Sequence, residues 1–390
     1  MTSVSALSTL ADSAAAFEAV AERALAGLGG RTADLAVLFA TKHHAESLEQ
    51  LGRQVRARGI ARHLVGCTGE SIVGEDREVE DAPALSLWAI CLPGVNIGVR
   101  RLTFDRQGLH GMPSDDETNP PEVLIVLGDP FSFPADEFLK AVQLRSAGLP
   151  VVGGMASAGQ SPGGNRLILD DDAFENGAVA VALRGPVTVR TVVSQGCRPI
   201  GRTMIVTRAE RNVIRELGRR PALEVLREVF DDLPPEDQER VQQGLHIGRV
   251  INEYQETFQR GDFLVRNVIG ADDSGGIAVT DVIRVGQTVQ FHVRDADSAD
   301  EDLRAMLSRE RLARPQSHVG GALLFTCNGR GTRLFNAPNH DVRVLHEILG
   351  PVPVAGFFAM GELGPVGGQN FVHGFTASVV LFEPIQEAEV

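Results

Sequence analysis

The residues of this sequence whose types and spacing suit chemistry sit where apolar runs stop. Cys327-Asn328-Gly329-Arg330 follows Ala322 to Phe325, Cys67-Thr68-Gly69-Glu70 follows Leu64-Val65-Gly66, and Gly361-Glu362 follows Phe357 to Met360. A cation beside a thiol favours thiolate, the reactive form. A guanidinium is a planar fork that clamps a carboxylate, and Glu70 or Glu362 would complement an ammonium. Cys197-Arg198, flanked by Gly196 and Pro199, repeats the thiol–arginine pairing. Each residue also has a structural reading: free cysteines are among the most buried residues, and loop arginines are mostly solvated. Gln195 precedes that pair, and the glycine-rich run Gly364 to Gly374 carries Gln369, Asn370 and His373. These are loop-forming groups or polar groups turned towards a cavity. Covalent catalysis by Cys327 or Cys197 requires a base within hydrogen-bond reach; His340 and His373 are the candidates, and spacing does not choose. The ten histidines show no H-E-x-x-H and the four cysteines no C-x-x-C, so no metal or cofactor is expected.

The elements that must position these groups recur three times. A short apolar run, a helix and a second apolar run are read at Leu35–Phe39, 45–58 and Leu64–Gly66. The same order recurs at Val123–Leu127, Pro134–Ala147 and Val151–Gly153, and at Ala322–Phe325, 340–349 and Val352–Gly356. Each set is followed by a further apolar run, 85–92, 177–183 or 376–382. Cys91, inside the first of these, is expected to be buried and inert. A helix between short strands implies a parallel pair with a right-handed crossover. In open α/β sheets ligands lie beyond the carboxyl ends of such strands. The first and third copies place glycine–glutamate at matching points, which pairs Glu70 with Glu362 if the copies face each other. A helix is read over 12–28, and Asp105 to Glu122 reads as a long exposed loop. Between the second and third copies lies a different region. It holds a strand at Val213–Leu217, helices from Pro221 and over 235–259, strands at Phe263–Ile269, Ile277–Ile283 and Thr288–Val293, and a capping box Ser298-x-x-Glu301. The fold class is therefore α/β, two mixed α/β domains built from related strand–helix–strand–strand units.

Composition narrows the function. The chain has 390 residues with 43% apolar and 23% charged, globular values. The net charge is −14, which opposes nucleic acid and anionic membranes. Only Lys42 and Lys140 are lysines, and no G-x-x-x-x-G-K-[ST] or G-x-G-x-x-G opens a helix. Dispersed cysteines, no signal peptide at Met1–Leu10 and no uninterrupted apolar span point to a cytoplasmic protein without membrane insertion.

Four segments resemble the signature segments of FIST proteins: Ser194 to Gly201, Arg260 to Asn267, Cys327 to Gly331 and Gly356 to Glu362. The resemblance runs from about 33 to 382. It implies a FIST N-like domain at 30–207 and a FIST C-like domain at 208–385, behind an N-terminal helix in 1–29. It implies a sensory module for a small polar ligand, amino-acid-like, and it carries over no catalytic set. The chain ends about eight residues past the last strand, so no output domain is expected and a signalling partner is. The expected ligand residues are Cys67, Glu70, Gln195, Cys197, Arg198, Cys327, Asn328, Arg330, Glu362, Asn370 and His373, around a shared cavity between the domains. The alternatives are a cysteine-dependent enzyme using Cys327 or Cys197 with His373, and an interaction scaffold.

Overall fold

In the computed structural model, residues 1–112 and 120–384 are described. Of the loop expected over Asp105 to Glu122, residues 113–119 lie outside that range; Asp105 ends a strand, Asn96–Asp105, and Gly108–His110 pairs with it. The chain forms two compact units. One comprises Met1–Val193, Leu303–Val372 and the residues from Thr376 on; the other comprises Ser194–Asp302 with His373–Phe375. The mixed α/β class holds, and all three strand–helix–strand copies lie in the first unit.

Each copy has a lead strand, a helix, a parallel follow strand, a hairpin and an antiparallel return strand. In copy one these are Ala33–Thr41, Leu48–Ala57, Ala61–Gly69, Ile72–Gly74 with Arg77–Val79, and Leu85–Cys91. In copy two they are Val123–Gly128, Ala135–Arg145, Val151–Met155, Leu167–Leu169 with Asp172–Phe174, and Ala178–Arg184. In copy three they are Gly321–Cys327, His340–Leu349, Val354–Ala359, Glu362–Val366 with Gln369–His373, and Thr376–Glu383. An outer strand pairs beyond each return strand: Thr2–Ser8, Asn96–Asp105 and Thr188–Gln195. Thr2–Ser8 was not anticipated; it precedes the helix Ser13–Leu28.

The hairpins are exchanged cyclically. That of copy one pairs with the follow strand of copy three, that of copy three with copy two, and that of copy two with copy one. The inner faces of the three sheets meet in one apolar core, where the rings of Phe39, Phe325 and Phe357 pack with centroids 5.2–6.3 Å apart. Helices cover the outer faces. Every follow strand carries a glycine, Gly66, Gly153 or Gly356, opposite Leu38, Val126 or Leu324. A Cβ there would lie 1.7–2.0 Å from the facing carbonyl oxygen, so any side chain would force the strands apart.

The second unit is an antiparallel barrel inserted between the outer and lead strands of copy three. Its strands are Cys197–Glu210, Thr288–Arg294, Leu245–Val250, Phe263–Ala271, Ile277–Val279 and Val213–Leu217, closed by pairing of the first with the last. Three expectations are corrected here. The helix over 235–259 ends at Gln243, and Leu245–Val250 is a strand whose Ile247 enters the barrel core. The Ser194–Arg198 segment is not a loop: its residues belong to strands on either side of Gly196. The helix Ala296–Ala313 is capped three residues before Ser298, because Asp295 Oδ1 accepts the Ser298 N–H at 2.9 Å.

Candidate binding site

At the end of the copy-three lead strand the chain turns back tightly. Arg330 N–H donates to Cys327 O at 2.9 Å, and Asn328 N–H donates to Ala359 O at 3.0 Å, tying the turn to the follow strand. Gly329 N–H approaches Cys327 Sγ at 3.5 Å. Gly331 closes the turn at φ +59, where a Cβ would meet Glu80 and Phe358 at 2.7 Å.

Arg330 is directed into the protein and is 1% exposed. Its Nε and Nη2 donate to Asp341 Oδ2 and Oδ1 at 2.8 and 2.7 Å, a bidentate pair. Asp341, in the first helical turn, also accepts from Thr326 Oγ1 at 2.6 Å and contacts His340 Nδ1 at 2.9 Å. The His340 ring stacks on Phe335 at 3.3 Å. Burial disfavours both charges of the pair, but mutual attraction outweighs it: Asp341 is held below the usual carboxylate range and Arg330 is raised.

Two further buried carboxyls belong to this cluster. Glu78, from the exchanged hairpin of copy one, accepts the Val342 N–H on Oε1 at 2.9 Å. Glu362 accepts the Thr376 N–H and hydroxyl on Oε2, at 3.2 and 2.7 Å. Burial pushes Glu362 up to about 8 against the Thr376 bonds and the Arg330 charge. Burial, reinforced by Asp341, pushes Glu78 to about 8 as well. Arg330 Nη1, Glu78 Oε2 and Glu362 Oε1 have no hydrogen-bond partner in the protein. Buried polar groups without partners are uncommon and call for an explanation.

Strand register shows what is special about copy three. One step beyond the follow-strand glycine, Cys67 faces Leu167, Phe357 faces Ile72, and Gly154 faces Glu362. Glu362 thus holds a position that is leucine or isoleucine in the other sheets. The expected match of Glu70 with Glu362 is corrected by the same register: Glu70 lies three residues past Cys67, as Met360 lies past Phe357. Glu70 is half-buried and pairs with Arg333. Likewise Thr41, Asp129 and Cys327 are equivalent lead-strand ends.

Of the other expected residues in this unit, Cys67 lies in the central core, its thiol pushed well up by burial. Asn370 accepts from Val151 N–H and donates to Leu149 O, each at 2.8 Å. Cys91 is not buried but intermediate in exposure. In the second unit, Arg198 pairs with both Asp295 and Asp237, so its fork is occupied by protein carboxylates. Cys197 packs with Val250, Phe263 and Val265. Gln195 Nε2 donates to Phe263 O at 2.7 Å, and His373 is buried. Sequence reasoning missed Glu78, Asp341 and Thr376. Asp341 alone carried a signal, beside His340 at a helix start.

The fold is a threefold-repeated mixed α/β unit with an inserted antiparallel barrel, in which one copy is chemically distinct. The chain belongs to the FIST family: the FIST N domain matches residues 34–220 and the FIST C domain residues 222–365. FIST domains are sensory domains. The chain is 42% identical over 381 residues to "Uncharacterized protein Rv0628c" of Mycobacterium tuberculosis (strain ATCC 25618 / H37Rv), covering 96% of this chain and 98% of the relative. It is 41% identical over 360 residues to "Uncharacterized protein Mb0898c" of Mycobacterium bovis, covering 91% and 92%. Among the described residues no helix is long and apolar enough to cross a membrane, and no cluster of three metal-ligating side chains occurs.

Proposed function

We propose that this protein is a cytosolic sensor of a small polar, amino-acid-like ligand, held at the strand ends of copy three and relayed to a signalling partner. One observation carries the reading: Arg330, buried and fixed by Asp341 on two nitrogens, keeps Nη1 unpartnered. A ligand carboxylate on Nη1 satisfies a donor that is otherwise expensive to bury. Glu70, paired with Arg333 in the free protein, would hold the ammonium in place of that partner. Asn328 and Cys327 line the same turn. The test is a thermal-shift panel of amino acids on the full chain, with mass spectrometry of molecules released on denaturation. A ligand that binds only the folded state raises Tm. At least one amino acid is expected to do so, and Arg330→Lys to abolish the shift. A flat panel with no released molecule overturns the reading.

A second reading, Cys327 as a nucleophile, draws on the Gly329 N–H beside its sulfur and the adjacent Arg330 charge. It requires a covalent adduct in the intact-protein mass that disappears in Cys327→Ala.

A further inference from the structure

Glu362 occupies a position built for an apolar side chain. In the sister sheets the corresponding residues are Ile72 and Leu167, both fully buried, and Glu362 is fully buried too. Packing therefore does not ask for a carboxyl there. Nor does the backbone, since Gly154 opposite it is paired as its equivalents are. The charged group acting on it is Arg330, behind which stand Asp341, Cys327 and Glu78; Thr376 contributes its N–H and hydroxyl, the backbone of Gly361 a weaker interaction, and the follow strand of copy two the Gly154 backbone.

The hydrogen bonds place its proton. Oε2 already accepts two donors from Thr376, so a neutral carboxyl carries its hydrogen on Oε1, the oxygen without a protein partner. The same logic applies to Glu78: Oε1 accepts from Val342, which leaves the hydrogen on Oε2. With Arg330 Nη1, the cluster offers unpartnered donors. The guanidinium repels an ammonium and the neutral carboxyls offer it only weak acceptors, whereas an oxyanion has several donors to accept from.

We propose that Glu362, holding its proton on Oε1, and Arg330 through Nη1 together bind the carboxylate of the ligand, so that the site takes its ligand in company with a proton. The proposal rests on the binding site argued above, with its carboxylate on Arg330, and adds that Glu362 is a hydrogen-bond donor to that carboxylate. The Glu362 carboxyl, raised to about 8 by burial, holds that proton at neutral pH. Ionised, it would repel the same carboxylate.

The test compares acetate and glycine with their amides, acetamide and glycinamide, as probes on the full chain. Calorimetry and thermal shift are run at about pH 6.5 and about pH 9.5, either side of the raised value. Three proteins are compared: wild type, Glu362→Leu and Glu362→Gln. Glu362→Leu copies the sister positions, so it is expected to fold with a Tm at or above wild type while binding the carboxylates at least about tenfold more weakly. Glu362→Gln keeps a donor that cannot ionise, so it binds at both pH values. Wild type binds at the lower pH only, and the amides bind to none of the three. Carboxylate binding that survives Glu362→Leu, or that is equal at both pH values in wild type, overturns the proposal. If the carboxylates fail but another amino-acid derivative shifts Tm, the proton-coupled site is wrong and the sensor reading stands. If nothing binds, both fall.

Discussion

At the residue scale the cluster is governed by one asymmetry: a buried ion pair adds little net stability, but breaking it leaves an uncompensated charge. Asp341→Asn should therefore lower the unfolding free energy by about 3–5 kcal/mol in a denaturant titration. A loss below about 1 kcal/mol would show that Arg330 finds water instead. The neutral carboxyls set a pH dependence. Glu78 and Glu362 are raised to about 8 in the folded protein, against about 4.3 when unfolded. Between those values the folded state binds more protons, so their contribution is full at the acid end, falls as pH rises and is gone above about 8. His246 and His292 act oppositely. Burial pushes both down to about 4, so their contribution is present above about pH 6.5 and lost as pH falls towards 4. Glu362→Gln should flatten the alkaline fall in Tm and leave the acid limb unchanged; an unaltered alkaline limb would contradict the assignment. Among the thiols, Cys91 is the one with intermediate exposure, so native alkylation should mark it before Cys67, Cys197 or Cys327. The sequence suggested the reverse, since an apolar run does not show where within it the strand ends, and Cys91 is the strand's last residue.

At the element scale much was legible. The three strand–helix–strand sets stand out because their apolar runs and helix stops are local signals, and the helix over 340–349 has those bounds in the structure. The glycines of the follow strands were visible too, though their reason, close approach to the carbonyls of Leu38, Val126 and Leu324, is tertiary. Gly356→Ala should destabilise by at least about 2 kcal/mol through that contact, whereas Gly350→Ala, with nothing within 4 Å, can be charged only with its positive φ. Equal losses would contradict the packing account. What failed was non-local. The 235–259 stretch is rich in Glu and Gln, and that helical composition masked the alternation of Leu245–Val250. The Glu70–Glu362 match relied on a repeated dipeptide, while hydrogen-bond register, which decides equivalence, is two residues different. Glu78 reaches the site on an exchanged hairpin, and no reading of copy three by itself could find it.

At the scale of the whole molecule, cyclic exchange makes the three copies of the first unit interdependent. No sheet is complete without a hairpin from another copy. Ile72→Ala and Leu167→Ala should each open amide exchange in all three sheets of this unit together, because they cut links in a closed ring. Loss of protection confined to the sheet that receives the altered hairpin would show independent copies. Within this shared scaffold two copies keep apolar residues where the third has Glu362, so the scaffold carries its own internal control for which positions serve packing and which serve binding. The most direct test is carbon NMR of the Glu362 carboxyl in protein labelled at glutamate side chains, assigned by its loss in Glu362→Gln. The account predicts a carboxyl resonance that stays in the protonated position through neutral pH, titrates near 8, and moves when acetate or glycine is added. A Glu362 carboxyl that titrates near 4.5, as an exposed glutamate does, or that ignores both carboxylates, would contradict it.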